Sequence, residues 1–265
     1  LKFAAFALQR SIRHPPPKTK SCPCPDFPLF STIMNRRILF LALFFVFVPA
    51  SIGQTVLIND PAMPENETPL PAAERAFIER EVWPVLRKKY ESEECTPEFD
   101  SAYLIRGSFS KPNADQSLVY FQVCQTGNGR GIVALALAEN GKLTSVFASE
   151  AGWSAGARTL PDVNQNGLDE FALYYSGGMH QGAGGTGVDL FEFSGNAIRG
   201  IGWFQAEGFS EDEPTFGYKV FVKKGKVPVF TRQKFLQGNN EKWRPLGKLA
   251  VFKPSENIAN FTTVR

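Results

Sequence analysis

From residue 101 onward, apolar and polar positions alternate in short runs with a period of two, the pattern of half-buried β-strands. Strands are predicted near 101–109, 116–124, 131–138, 142–149, 170–175, 187–194, 197–205, 217–223, 227–233 and 247–252. Turn chemistry separates them. Asn140-Gly141 supplies the positive φ angles of a tight hairpin, Gly195-Asn196 does the same, and Lys224-Gly225 joins two further strands. No crossover helices intervene, which excludes a parallel α/β sheet. The expected fold is mainly β: an antiparallel meander of about ten short strands, propeller-blade-like or a sandwich, with one N-terminal helix.

That helix comes from residues 72–90, where Ala73, Phe77, Ile78, Val82, Val85 and Leu86 recur at three- and four-residue steps between charges. Pro84 should kink or split it near Trp83. Residues 54–71, with Pro61, Pro64, Pro69 and Pro71, read as an extended linker, and 72–265 as a single β-rich domain.

A third pattern lies upstream. Ile38 to Val48 is an unbroken apolar run behind Arg36 and Arg37, and Pro49 with Ser51-Ile52-Gly53 closes it. At helical rise the run spans roughly 16 Å, about half a bilayer core. Residues 34–53 therefore read as a secretory signal cleaved before Gln54, the alternative being an uncleaved anchor. Met34 is placed as the natural start. Residues 1–33, with Pro15-Pro16-Pro17 and Cys22-Pro23-Cys24, then read as an over-extended gene model.

Charge changes meaning once the chain is divided there. The whole sequence carries +3, but residues 54–265 hold 22 Lys/Arg and 25 Asp/Glu, a net charge of −3. The excess basicity belongs to the leader, so no nucleic-acid partner is expected. Cys95 and Cys124 are the cysteines that remain, and an exported chain with two cysteines is expected to join them. Two buried free thiols are the alternative. The implied location is secreted or periplasmic, with the membrane involved only through the signal peptide during export.

One segment carries candidate chemistry. Residues 162–170 read Asp162-Val-Asn164-Gln-Asn166-Gly167-Leu168-Asp169-Glu170, just before an apolar strand. Oxygen side chains at positions 1, 3, 5 and 9 around a glycine turn suit a hard cation such as Ca²⁺. Position 12 is Leu173 and a strand follows, so the loop is not an EF-hand. It resembles the D-x-[DN]-x-[DN]-G-x-x-[DE] loop of FG-GAP and VCBS-type repeats, found in integrin-like propellers and many secreted bacterial proteins. The resemblance covers the loop region in a single copy. It implies Asp162, Asn164, Asn166 and Glu170 as side-chain metal ligands and Leu168 through its carbonyl. Asn at positions 3 and 5 lowers the charge and implies weak binding, with a Kd of about 10⁻⁴–10⁻³ M. The same residues also suit a metal-free Asx-turn loop.

Other motifs carry less. Gly182, Gly184 and Gly187 form G-x-G-x-x-G, but a strand follows where a dinucleotide site needs a helix, so a hairpin loop is expected. His180, in that loop, has no identifiable nucleophile partner. No catalytic residue is assigned. The function expected is an exported β-domain with one calcium-type loop, structural or binding an unidentified ligand, a glycan or a protein, at the cell envelope. The alternative is a secreted or periplasmic hydrolase of glycans or phosphoesters.

Overall fold

The computed structural model describes residues 54–61, 70–92, 95, 100–178 and 182–265. The expected signal peptide, the segment before it and His180 lie outside the described residues. The helical pattern forms two helices, α1 (Ala72–Glu81) and α2 (Trp83–Tyr90). Pro84 lacks the N–H that would bond the Arg80 carbonyl, so the helix breaks at Val82, as its position predicts. Ile78, Val82 and Leu86, four residues apart, form one buried face across the break.

The rest is antiparallel sheet. Strands β2 (Asp100–Gly107), β3 (Gln116–Gly127), β4 (Arg130–Glu139), β5 (Lys142–Ala151) and the two-residue β13 (Thr262–Thr263) form one sheet in the order β13-β5-β4-β3-β2. A second sheet runs β12-β11-β10-β9-β8-β7-β6, from β6 (Trp153–Leu160), β7 (Glu170–Ser176), β8 (Gly184–Ser194), β9 (Ala197–Phe209), β10 (Phe216–Lys223), β11 (Val229–Gln237) and β12 (Trp243–Phe252). β1 (Gln54–Ile58) pairs with β10 as its eighth strand. Consecutive strands are neighbours in each sheet, which is the expected meander. Asn140 and Gly141 turn β4 into β5 with φ of 51° and 73°.

Three apolar layers hold this together. The helices cover one face of the five-stranded sheet, against Val119, Phe121, Ala134 and Val146. Its other face meets the second sheet, where Leu118, Tyr120, Leu135 and Phe147 pack with Phe171, Leu173, Phe191 and Phe193. The second sheet is itself covered on its far side. β9 and β10 pair only at Phe216–Gly208 and Gly217–Glu207. The sheet turns at that short seam, and Leu57, Ile58, Val220, Val222 and Phe230 fold back onto Ala172, Tyr174, Val188 and Leu190. β7 and β8 are thus buried on both faces.

Two differences from the sequence reading have physical causes. Gln54–Ile58, read as the start of a linker, is a strand because Leu57 and Ile58 complete the folded-back core. β6 escaped notice because Trp-Ser-Ala-Gly-Ala-Arg-Thr-Leu carries small residues where bulky alternation would signal a strand.

Cys95 and Cys124 form a disulfide, with Cα atoms 5.4 Å apart, that ties the segment after α2 to β3. The bridge closes a loop of 29 residues, worth about 3–4 kcal/mol in the chain-entropy treatment. Cys124→Ala should therefore lower the thermal midpoint by about 6–15 °C for a domain of this size. Scanning calorimetry of the oxidised protein and the variant checks this, and equal midpoints would contradict it.

Candidate metal centre and the Asp189 cleft

The predicted ion loop connects β6 to β7. Its ends are closed by the Leu160–Glu170 pair of the ladder. Asp162 and Gln165 take left-handed backbone conformations, with φ of 38° and 61°, and Gly167 stands at 88°. The chain turns inward because Val163 is fully buried in the folded-back core. Both flanks are clamped. The Gly225 N–H donates to the Val163 carbonyl at 3.0 Å, and the Lys224 ammonium donates to the Pro161 carbonyl. On the other side the Ser108 N–H donates to Asp169 Oδ2 at 2.7 Å, and the Asp169 N–H returns to the Ser108 carbonyl at 3.0 Å. Gly107 leaves the room this needs, since a Cβ there would stand 2.8 Å from Asp169 Oδ2.

Inside the loop, Asp162 Oδ1 accepts the N–H groups of Asn166 and Gly167 at 2.9 and 3.2 Å. Asn164 Oδ1 accepts the Asn166 N–H at 3.0 Å, and Asn166 Oδ1 accepts the Leu168 N–H at 2.8 Å. These are Asx-turn contacts, so the loop's local geometry is already satisfied without an ion.

Glu170 is the exception. It is fully buried. Its Oε2 accepts the Val163 N–H at 2.6 Å, while Oε1 is buried with no hydrogen-bond partner. Burial, reinforced by the neighbouring charges of Asp162 and Glu192, pushes its carboxyl up to about 7. Among the described residues no three Asp, Glu, His or Cys side chains gather into a metal cage. A cation at Glu170 would therefore draw on amide and carbonyl oxygens as well as carboxylates.

The structure thus joins Asp162, Asn164 and Asn166 in one hydrogen-bonded network that includes the Leu168 N–H, while Glu170 is tied to the loop through the Val163 N–H. It also adds a residue that the sequence reading missed. Glu192 of β8 accepts the side-chain amides of Asn164 and Asn166 on Oε2, at 2.6 and 3.1 Å. Its Oε1 accepts the guanidinium of Arg199, whose Nε lies at 2.6 Å. Glu192 is 3% exposed and holds both asparagines in place. The signal for it was an acid inside the apolar run Val188-Asp-Leu-Phe-Glu-Phe193.

The other acid of that run builds a second site. Asp189 is 4% exposed; one carboxylate oxygen takes the Ala259 N–H, and Oδ1 is buried with no partner. Burial raises its carboxyl to about 7. It lines a cleft of about 340 Å³ with Arg130, Glu150, Tyr175, Trp203 and Asn257. The Trp203 indole N–H donates to the Tyr175 hydroxyl. Here the glycine motif finds its purpose: a Cβ on Gly187 would strike the Tyr175 ring at 2.3 Å, and one on Gly152 at 2.5 Å. Gly184 and Gly187 lie in strand β8, so no helix N-terminus follows the motif to receive a pyrophosphate.

No protein-family model, curated protein or solved structure matches the chain.

Asp189 makes a pH signature. A carboxyl raised from 3.8 to about 7 binds its proton more tightly in the folded state. It favours folding below about pH 4, and that contribution is lost as pH rises through 7. The stability difference between wild type and Asp189→Asn should fall across that window, by a few kcal/mol at most. Urea unfolding from pH 4 to 8 measures it, and parallel pH curves for the two proteins would contradict it.

Proposed function

We propose that this chain is an exported β-domain whose 162–170 loop takes a calcium ion, with a structural or ligand-binding role at the cell envelope. The observation that carries the reading is the buried, unpartnered Oε1 of Glu170 in a loop whose other side chains are Asp162, Asn164 and Asn166. An unpaired carboxylate removed from water is costly, and a hard cation with oxygen ligands offsets that cost. The residues fit the ion. Glu170 and Asp162 supply the charge, Asn164, Asn166 and the Leu168 carbonyl supply neutral oxygens, and Glu192 holds the asparagines. The disulfide supports an oxidising compartment, in keeping with the signal peptide read at 34–53.

The ligand-binding part of the role rests on the Asp189 cleft. Tyr175 and Trp203 offer aromatic surface, and Asp189, Glu150 and Asn257 offer acceptors, a set suited to a hydroxyl-rich ligand such as a glycan. The same cleft favours a second reading as a glycan hydrolase, because a buried acid held near neutral pH in a cleft that a second carboxylate, Glu150, also lines is the equipment of general acid catalysis. Turnover of aryl glycosides that disappears in Asp189→Asn would establish the hydrolase. Glycan binding without turnover would establish the binding domain.

The ion is tested by thermal unfolding in millimolar calcium and in chelator. Calcium at about 100 times Kd should add about 2.7 kcal/mol, a rise of roughly 5–11 °C. Asp162→Ala should abolish the rise, and Asn164→Ala, which removes only a neutral dipole, should reduce it. Identical wild-type midpoints in both buffers, with no heat of binding by calorimetry, would leave the loop an Asx turn.

A further inference from the structure

The folded-back end of the second sheet has an outer face of its own. Val56, Phe221, Thr231 and Val251 stand opposite one another across β1, β10, β11 and β12, so they share that face. Alternation places Val229 beside Thr231 and Leu249 beside Val251. Their counterparts Val220, Val222 and Phe230 point the other way, into the core. Val56, Phe221 and Thr231 are half-buried, and the exposure of the row is concentrated on β12, the start of β11 and the turn before it. Val251 is 70% exposed, Leu249 47% and Val229 41%, and Val227, in the turn that leads into β11, is 81% exposed.

Charge on this part of the chain is one-sided. Residues 216–253 hold ten Lys/Arg and a single acid, Glu241, a net charge of +9. The remainder of 54–265 holds 12 basic and 24 acidic residues, a net charge of −12. Lys219 and Lys223 alternate with Phe221 and so lie on the apolar face itself, Lys223 directly opposite Val229. Lys226 sits in the turn beside Val227.

We propose that this outer face docks on an anionic phospholipid surface. Exposed aliphatic side chains among lysines call for a partner that is apolar within and negative at its rim. A lipid headgroup layer supplies both: the valines and leucine reach the acyl boundary while the lysines stay among the phosphates. A second copy docked through the same face would bring two sets of Lys219, Lys223 and Lys226 together. A nucleic acid or other hydrophilic polyanion would meet the charge and leave the apolar row in water. The acidic remainder is repelled by the same surface and so orients the molecule with β10–β12 toward it. This contact is separate from the export segment, and it does not depend on the ion loop.

The test uses the full chain in chelator buffer, in a Cys22→Ser/Cys24→Ser background with an environment-sensitive dye on Val251→Cys, so that the readout belongs to the face and not to the apolar leader. Vesicles of phosphatidylglycerol should shift the dye emission to the blue and expose it to brominated-lipid quenching. Pure phosphatidylcholine vesicles should not. Lys219→Glu/Lys223→Glu in the labelled protein should weaken apparent binding at least tenfold, with an unchanged circular dichroism spectrum. The proposal is overturned if the dye stays in water while the protein sediments with anionic vesicles, since the leader then does the binding. It is also overturned if the blue shift appears without lipid and grows with protein concentration, which makes the face a self-association surface. Unchanged binding of the double variant contradicts it as well.

Discussion

The structure depends on one constraint: β7 and β8 are buried on both faces, so every polar group they carry must find a partner inside protein. Phe171 and Leu173 fill the layer between the two sheets, while Ala172 and Tyr174 fill the folded-back layer. A strand in that position leaves no solvent face. Three acids nevertheless stand on it: Glu170 at the start of β7, and Asp189 and Glu192 in β8. Each is resolved differently. Glu192 is matched by Arg199 and two asparagine amides. Glu170 and Asp189 each keep one oxygen without a partner. Together with the Thr231 hydroxyl, these are the buried side-chain oxygens left without a partner among the described residues, and such departures from self-sufficient packing mark places where a site is to be sought.

The two sites differ in what they ask for. Glu170 closes a loop that carries Asp162, Asn164 and Asn166 and is held to it by the Val163 N–H, the loop being clamped by Ser108 on one side and Gly225 on the other. A rigid oxygen-lined turn suits an ion. Asp189 opens instead on a cleft with two aromatic rings, room enough for a small organic ligand. The Tyr175 ring reaches that cleft because Gly152 and Gly187 leave space beside it.

Much of the fold was legible because local chemistry decided it. Alternating runs gave the strands from β2 onward, apart from β6 and the two-residue β13. Asn140-Gly141 fixed a hairpin, and Pro84 broke the helix where its missing N–H required. The pairing of Cys95 with Cys124 followed from their being the two cysteines left once the expected leader is set aside. The Asx turns of Asp162, Asn164 and Asn166 were also readable, because an Asx-rich glycine turn before an apolar strand is a local pattern. What was hidden is non-local. An acid between apolar strand residues ordinarily reads as solvent-facing, and only tertiary packing makes Asp189 and Glu192 interior groups: the fold-back of β10 and β11 on the side of Glu192, and the five-stranded sheet with the C-terminal segment on the side of Asp189. The net charge of −3 for 54–265 likewise concealed two opposed regions, since averaging erases a separation that the sheet preserves in space.

The central claim is that Glu170 is buried in order to hold a cation. A crystal structure grown in calcium, with anomalous data collected at a wavelength where calcium scatters, tests it most directly. The expected result is an anomalous peak 2.3–2.6 Å from Glu170 Oε1, with Asp162 and the Asn164 and Asn166 oxygens turned toward it. Density showing Glu170 Oε1 bonded to an ordered water or a side-chain donor, with no anomalous peak, would contradict the account.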